Sequence, residues 1–183
     1  ELDEKNILSL ISPLISLKNN QNDVEKLKKL LNFADPLEFW INILVNTNNL
    51  TEINKICLRL NLTKKIENQL VSRANLNEII KNWELNKYFE NPPISEIQRI
   101  PSKILLLEYS LNKNLKRKGI LSFIIENISK AKPILTGEDL LSIGIRDGKT
   151  IGFLLTEITK KRFLGFLVSK KDEINYVKSK IKI

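Results

Sequence analysis

Apolar residues recur along this chain three and four positions apart, with few stretches of strict alternation, and the pattern predicts an all-α fold. Leu2, Ile7, Leu10, Ile11, Leu14 and Leu17 begin it, with Ser12-Pro13 as an internal break. After the polar loop Asn19 to Asn22, Asp23 is placed to cap a helix carrying Val24, Leu27, Leu30 and Leu31. Asp35-Pro36 then supplies a cap and a first-turn proline, and Glu38 stands where a capping box needs its carboxylate. That helix is expected to bury Leu37, Trp40, Ile43 and Leu44. Thr51 is read as the cap of a helix with Ile53, Ile56, Cys57 and Leu60, and Thr63 as the cap of another with Ile66, Leu70 and Val71. A separate helix carries Leu76, Ile79, Ile80 and Trp83. Asn91-Pro92-Pro93 is the clearest break, after which Ser95 and Ser102 start a short and a longer helix. The last long one, from about Leu115 to Lys130, sets Ile120, Leu121, Ile124, Ile125 and Ile128 on one side. Short helices joined by short turns predict an array of helical hairpins.

Composition narrows the chemistry. The 183 residues include no histidine, which removes imidazole bases, Ser-His-Asp and Cys-His triads and histidine metal sites. A single cysteine, Cys57, excludes an internal disulfide and a cysteine-rich zinc cluster, and reads as a packed small residue. The net charge of +9 favours a polyanionic partner. Ile, Asn and Lys supply 71 residues, the usage of A+T-rich coding sequence, so part of the lysine excess has a genomic origin. Methionine is absent even at position 1, and the sequence is expected to be an excised domain or a processed product. No apolar run approaches the roughly 20 residues of a membrane span. The opening mixes Asp3, Glu4 and Lys5 with apolar residues, unlike a secretory signal, so a cytoplasmic setting and no membrane partner are expected.

Glycine divides the chain. Five of the six glycines lie after Pro133, which predicts a helical body over residues 1–132 and a smaller glycine-containing helix-turn-helix tail over residues 133–183. Thr136 and Asp139 have capping-box spacing for a short helix to about Ile143, which Gly144 ends in a left-handed conformation. Asp147 then caps a second helix whose first turn holds Gly148 and Lys149. Gly152, inside that helix, is expected to allow close packing against the first. Two readings of the turn stay open. The amides of the second helix, with Arg146, Gly148 and Lys149, hold a phosphate; or the glycines serve packing and the charges face water.

The pattern Pro133-x-Leu135-Thr136-Gly137-x-Asp139-Leu140-x-x-x-Gly144, continued by Gly148-x-x-x-Gly152-x-x-Leu155, resembles the C-terminal body and tail of bacterial-type tRNA nucleotidyltransferases and related poly(A) polymerases. Family members usually carry Pro-Gly-Pro where this chain has Asp147-Gly148-Lys149, so the glycine is kept and both prolines are lost. The spacing runs on to Gly165 and to Ser169-Lys170-Lys171-Asp172, which looks like the family's closing turn and last helix. The likeness is specific over about 50 residues and loose upstream, where Leu58 to Leu70 and Pro92-Pro93-Ile94-Ser95 have comparable features. In this family catalysis belongs to an N-terminal head with a glycine-rich turn, an Asp-x-Asp metal pair and a nucleotide-selecting neck, using Mg2+ and ATP or CTP. This chain has no Asp-x-Asp or Glu-x-Asp pair beside a predicted strand, and Glu138-Asp139 fits capping. The resemblance therefore implies an RNA-holding region with no catalytic residue, metal or cofactor of its own. Its implied partners are tRNA or other RNA, gripped at the elbow, and the catalytic head of the same polypeptide.

Other cations are candidates for backbone contact: Lys116, Arg117 and Lys118 at a helix start, and Lys160, Lys161 and Arg162 at a helix end. Solvated faces and helix-dipole complementarity explain such runs equally well. Phe163 and Phe166, flanking Gly165, fit either base stacking or the core, and Trp40 and Trp83 read as core. Two competitors remain. One is a stand-alone helix-hairpin-helix-like DNA module, although its Gly-x-Gly hairpin is missing from Gly144-Ile145-Arg146-Asp147-Gly148. The other is a helical protein-interaction scaffold that binds no nucleic acid.

Overall fold

The structure, a computed structural model, describes residues 36–45, 47–85 and 91–181. Among them it is all-α, with nine α-helices, one 3-10 turn and no strand. In chain order these are α1 (Pro36–Leu44), α2 (Leu50–Arg59), α3 (Lys64–Leu85), α4 (Ile94–Ile97), α5 (Ser102–Leu111) and α6 (Leu115–Asn127). The 3-10 turn Ile128–Lys130 follows, then α7 (Gly137–Ser142), α8 (Gly148–Phe163) and α9 (Lys170–Ile181). The helices expected before residue 36, and the Asp35 cap, lie outside the described residues. Two compact units divide the chain: one runs up to Asn82 and adds Arg99–Leu121, the other joins Trp83–Gln98 to Ser122–Ile183. The expected tail, 133–183, lies within the second unit.

In the first unit α1 is apolar on opposing faces. Ile41 and Val45 join a cluster with Ile53, Ile56, Cys57, Ile66 and Leu70, while Phe39 and Ile43 pack with Leu107. Helix positions two apart point about 200° from each other, so both sets are covered only because α1 has neighbours on two sides. This corrects the expected face: Ile43 is buried and Trp40 and Leu44 are partly so, but Leu37 is 52% exposed. Glu38 is buried and receives the Lys65 ammonium at 2.5 Å and the Gln69 amide, a tertiary role that the sequence pattern does not announce. Burial pushes the Glu38 carboxyl up, but the bonds from Lys65 and Gln69 outweigh it and hold it below its ordinary range.

Two further boundaries differ from expectation. The cap of α2 is Asn49, whose side chain accepts from the Thr51 and Glu52 amides at 2.9 and 3.4 Å, so Thr51 lies inside the helix. The two helices expected over Ile66–Val71 and Leu76–Trp83 are one, α3, because no glycine or proline interrupts residues 72–75. Arg73 ties the middle of α3 to the rest of the unit. Its Nε donates to Glu108, and its Nη1 donates to the carbonyls of Asn42 and Val45. Cys57 is buried, and desolvation, followed by the charge of Glu67, pushes its thiol up and leaves it a packing residue.

The second unit holds its own core: Leu135, Leu140, Ile145, Leu154, Ile158, Leu167 and Val177, contributed by α7, α8, α9 and their connections. Phe163 is fully buried, its ring 5.3 Å from Phe123 and 6.1 Å from Trp83. Among the described residues no helix is long and apolar enough to cross a membrane.

Candidate nucleic-acid interface

The helix–turn–helix of the second unit is built by local chemistry. The Thr136 hydroxyl accepts from the Asp139 amide at 3.2 Å, and the Asp139 carboxylate accepts from the Thr136 amide at 2.8 Å, a complete capping box. Gly144 ends α7 with φ +101°, a conformation open to glycine alone at little strain. Asp147 caps α8, accepting from the Lys149 amide at 3.4 Å and the Thr150 amide at 2.8 Å. Ser169 and Asp172 repeat the box ahead of α9, and the Lys170 ammonium reaches back to Asp139 at 2.8 Å, joining the two boxes.

Arg146, Asp147, Gly148 and Lys149 are all exposed. Among the described residues the Arg146 and Lys149 side chains have neither hydrogen-bond nor ion-pair partner. The Asp147 carboxylate already occupies two amides of the α8 N-terminus and puts an anion there, so helix amides alone make a poor phosphate cradle. The available donors are side chains. Gly152 also departs from expectation: a Cβ there would meet nothing within 4 Å, as at Gly148, whereas a Cβ added at Gly137 in α7 would lie 3.7 Å from Ile151 Cγ2 in α8. Gly148 and Gly152, one turn apart and both exposed, leave a strip of bare helix backbone beside Lys149.

Phe153, 62% exposed and four residues after Lys149, completes this face. Sequence reasoning passed over it, although the spacing Lys149, Phe153, Thr156, Lys160 follows one side of a helix. Lys149 and Lys160 stand three turns apart, about 16 Å along the axis.

The remaining candidates separate. Lys160 bonds Glu157 at 3.1 Å and Asn91 at 3.3 Å, and Lys161 sits over the Phe166 ring at 5.0 Å. Phe166 is 67% exposed, in contrast with Phe163 three residues before it. Arg162 is internal. Its Nη1 donates to Glu173 at 2.8 Å and its Nε to the Lys130 carbonyl at 2.9 Å, and the Glu173 side chain is fully buried. Glu173 also accepts from the Ile134 and Leu135 amides, a role no local signal in the sequence announces. Lys116, Arg117 and Lys118 belong to the first unit. Lys116 is exposed, Lys118 lies over the Tyr109 ring at 5.1 Å, and Arg117 turns inward to Asn77. No family model, curated protein or solved structure matches this chain.

Proposed function

We propose that this chain is an RNA-holding region, with tRNA as its preferred ligand, belonging to a nucleotidyltransferase or poly(A) polymerase whose catalytic head is a separate part of the same polypeptide. The observation that carries this reading is the exposed start of α8. There the free cations Arg146 and Lys149 border the bare backbone at Gly148 and Gly152, where a sugar-phosphate chain can approach without meeting a side chain. The exposed Phe153 adds a flat apolar surface of the kind on which unstacked bases rest. The sequence pattern around this turn is the one that resembles the tRNA nucleotidyltransferases. Binding of this type is phosphate and shape recognition and leaves bond-making to the head.

Fluorescence anisotropy with tRNA and with duplex DNA, each at several salt concentrations, tests it. Tighter binding of tRNA, weakening steeply with salt, is the expected result. Equal affinity for duplex DNA overturns it in favour of a helix-hairpin-helix-like module. Absence of binding at low salt overturns it in favour of a protein-interaction scaffold.

A further inference from the structure

A cavity of about 280 Å³ in the first unit has a lining that is unbalanced in a specific way. Three of its side chains are cationic, Arg73, Lys113 and Arg117, and one, Glu108, is a carboxylate already neutralised by Arg73. Its neutral polar groups are Thr47, Asn48, Asn77 and Asn112.

Their hydrogen bonds determine what is left to offer. A guanidinium only donates, so the bond from Arg117 Nη2 fixes Asn77 with its oxygen toward Arg117. The Asn77 amide nitrogen then donates to Asn48 Oδ1 at 2.7 Å. Backbone N–H groups occupy the next two acceptors: Asn114 donates to Asn112 Oδ1 at 3.0 Å, and Asn49 to Thr47 Oγ1 at 3.1 Å. Each of these acceptor oxygens already takes a bond from a neighbour. Several donors give none. Arg117 Nε is shut off from solvent with no partner, and among the described residues the Asn48 and Asn112 amide nitrogens and the Lys113 ammonium have no hydrogen-bond partner either. The cavity also lies against the first turn of α6, whose amide dipoles favour negative charge.

We propose that this cavity is a phosphate-binding site, with the Asn48 and Asn112 amides and the Lys113 ammonium as its donors and the Arg117 guanidinium adding positive charge to its wall. A group carrying several acceptor oxygens and negative charge answers such a lining of donors and cations. The site rests on the cavity's own chemistry and not on the RNA reading. The phosphate comes either from an RNA backbone or from a free phosphate group.

The test is a ¹H–¹⁵N titration of the intact chain with inorganic phosphate, against chloride at matched ionic strength. Saturable shifts of the Asn48 and Asn112 side-chain amides, in phosphate alone, are expected. Arg117→Gln, checked for folding by circular dichroism, should weaken phosphate binding about tenfold, as loss of one cation close to the anion does. No saturable shift, or the same shifts in chloride, overturns the proposal, and the unaltered chain suffices to decide it. Lys113→Ala, an exposed position, separates the sources. Weaker tRNA binding assigns the site to an RNA phosphodiester, and unchanged tRNA binding with weakened phosphate binding assigns it to a free phosphate group. Failure of tRNA to bind at all sinks the RNA reading and leaves the phosphate result standing.

Discussion

Glu173 gathers more of the second unit than any other polar side chain described. Fully buried, it accepts from two backbone amides and from Arg162, whose own side chain is only 12% exposed. Truncating one partner of such a pair strands the other, at a cost of about 3–5 kcal/mol. Glu173→Ala should lower the unfolding free energy read from denaturant curves by that much, and Arg162→Ala should do so comparably; a change below about 1 kcal/mol in both would mean water replaces the bonds. The capping carboxylates give a second residue-level expectation. Lys170's hydrogen bond to Asp139, then the Thr136 amide and hydroxyl, lower its carboxyl from 3.8 to about 2. Bonds from Thr150 lower Asp147, and bonds from Ser169 lower Asp172. Groups with a lowered folded value stabilise fully above the unfolded value and lose that effect as pH falls through the folded one. Stability should therefore fall as pH drops from about 4 to about 2, the window set by Asp139, with Asp147 and Asp172 contributing in the same direction. Asp139→Asn should flatten that decline in a pH series of denaturation curves, and an unaltered slope would remove Asp139 from the account.

At the scale of helices, two glycines in one hairpin do opposite things. Gly144 has φ +101°, so Gly144→Ala should destabilise by about 1–2 kcal/mol. Gly152 lies inside α8 with open space around it, so Gly152→Ala should stabilise by about 0.5–1 kcal/mol. If RNA approaches the bare backbone, the same Gly152→Ala change should also weaken tRNA binding, an outcome that packing alone does not produce. Thermal melts and anisotropy on one protein preparation check both. The hairpin was readable in the sequence because its determinants are neighbours: Thr136 with Asp139, Gly144 at the helix end, Asp147 ahead of Thr150. Where the determinant was distant, sequence patterns misled. Leu37, expected in the core, is exposed while Glu38 beside it is buried, because Lys65 and Gln69, far along the chain, hold Glu38 inside. A basic run at the end of α8 gives no hint that Arg162 alone faces inward, since its partner belongs to α9. Asn49 is as good a cap by residue type as Thr51, and the backbone geometry decides for it.

For the molecule as a whole, the question is how much of a +9 charge is free to meet a polyanion. In the second unit Arg162 is spent on Glu173, Lys160 on Glu157 and Lys170 on Asp139. Arg146 and Lys149 are exposed and, among the described residues, pair with no anion; the neighbouring Asp147 carboxylate bonds the α8 amides. Two such cations contribute to RNA affinity through counterion release, each adding roughly 0.7–0.9 to the slope of log affinity against log salt. Replacing both with Ala should thus lower that slope by about 1.5 and weaken tRNA binding most at low salt. Because both side chains are exposed and bond to nothing among the described residues, the thermal midpoint should not move. The pairing of these readouts is what discriminates. A lower midpoint would mean the residues support the turn, and an unchanged slope with an unchanged midpoint would mean they face water in the complex as well. Loss of slope without loss of stability is the signature of side chains whose partner is a phosphate.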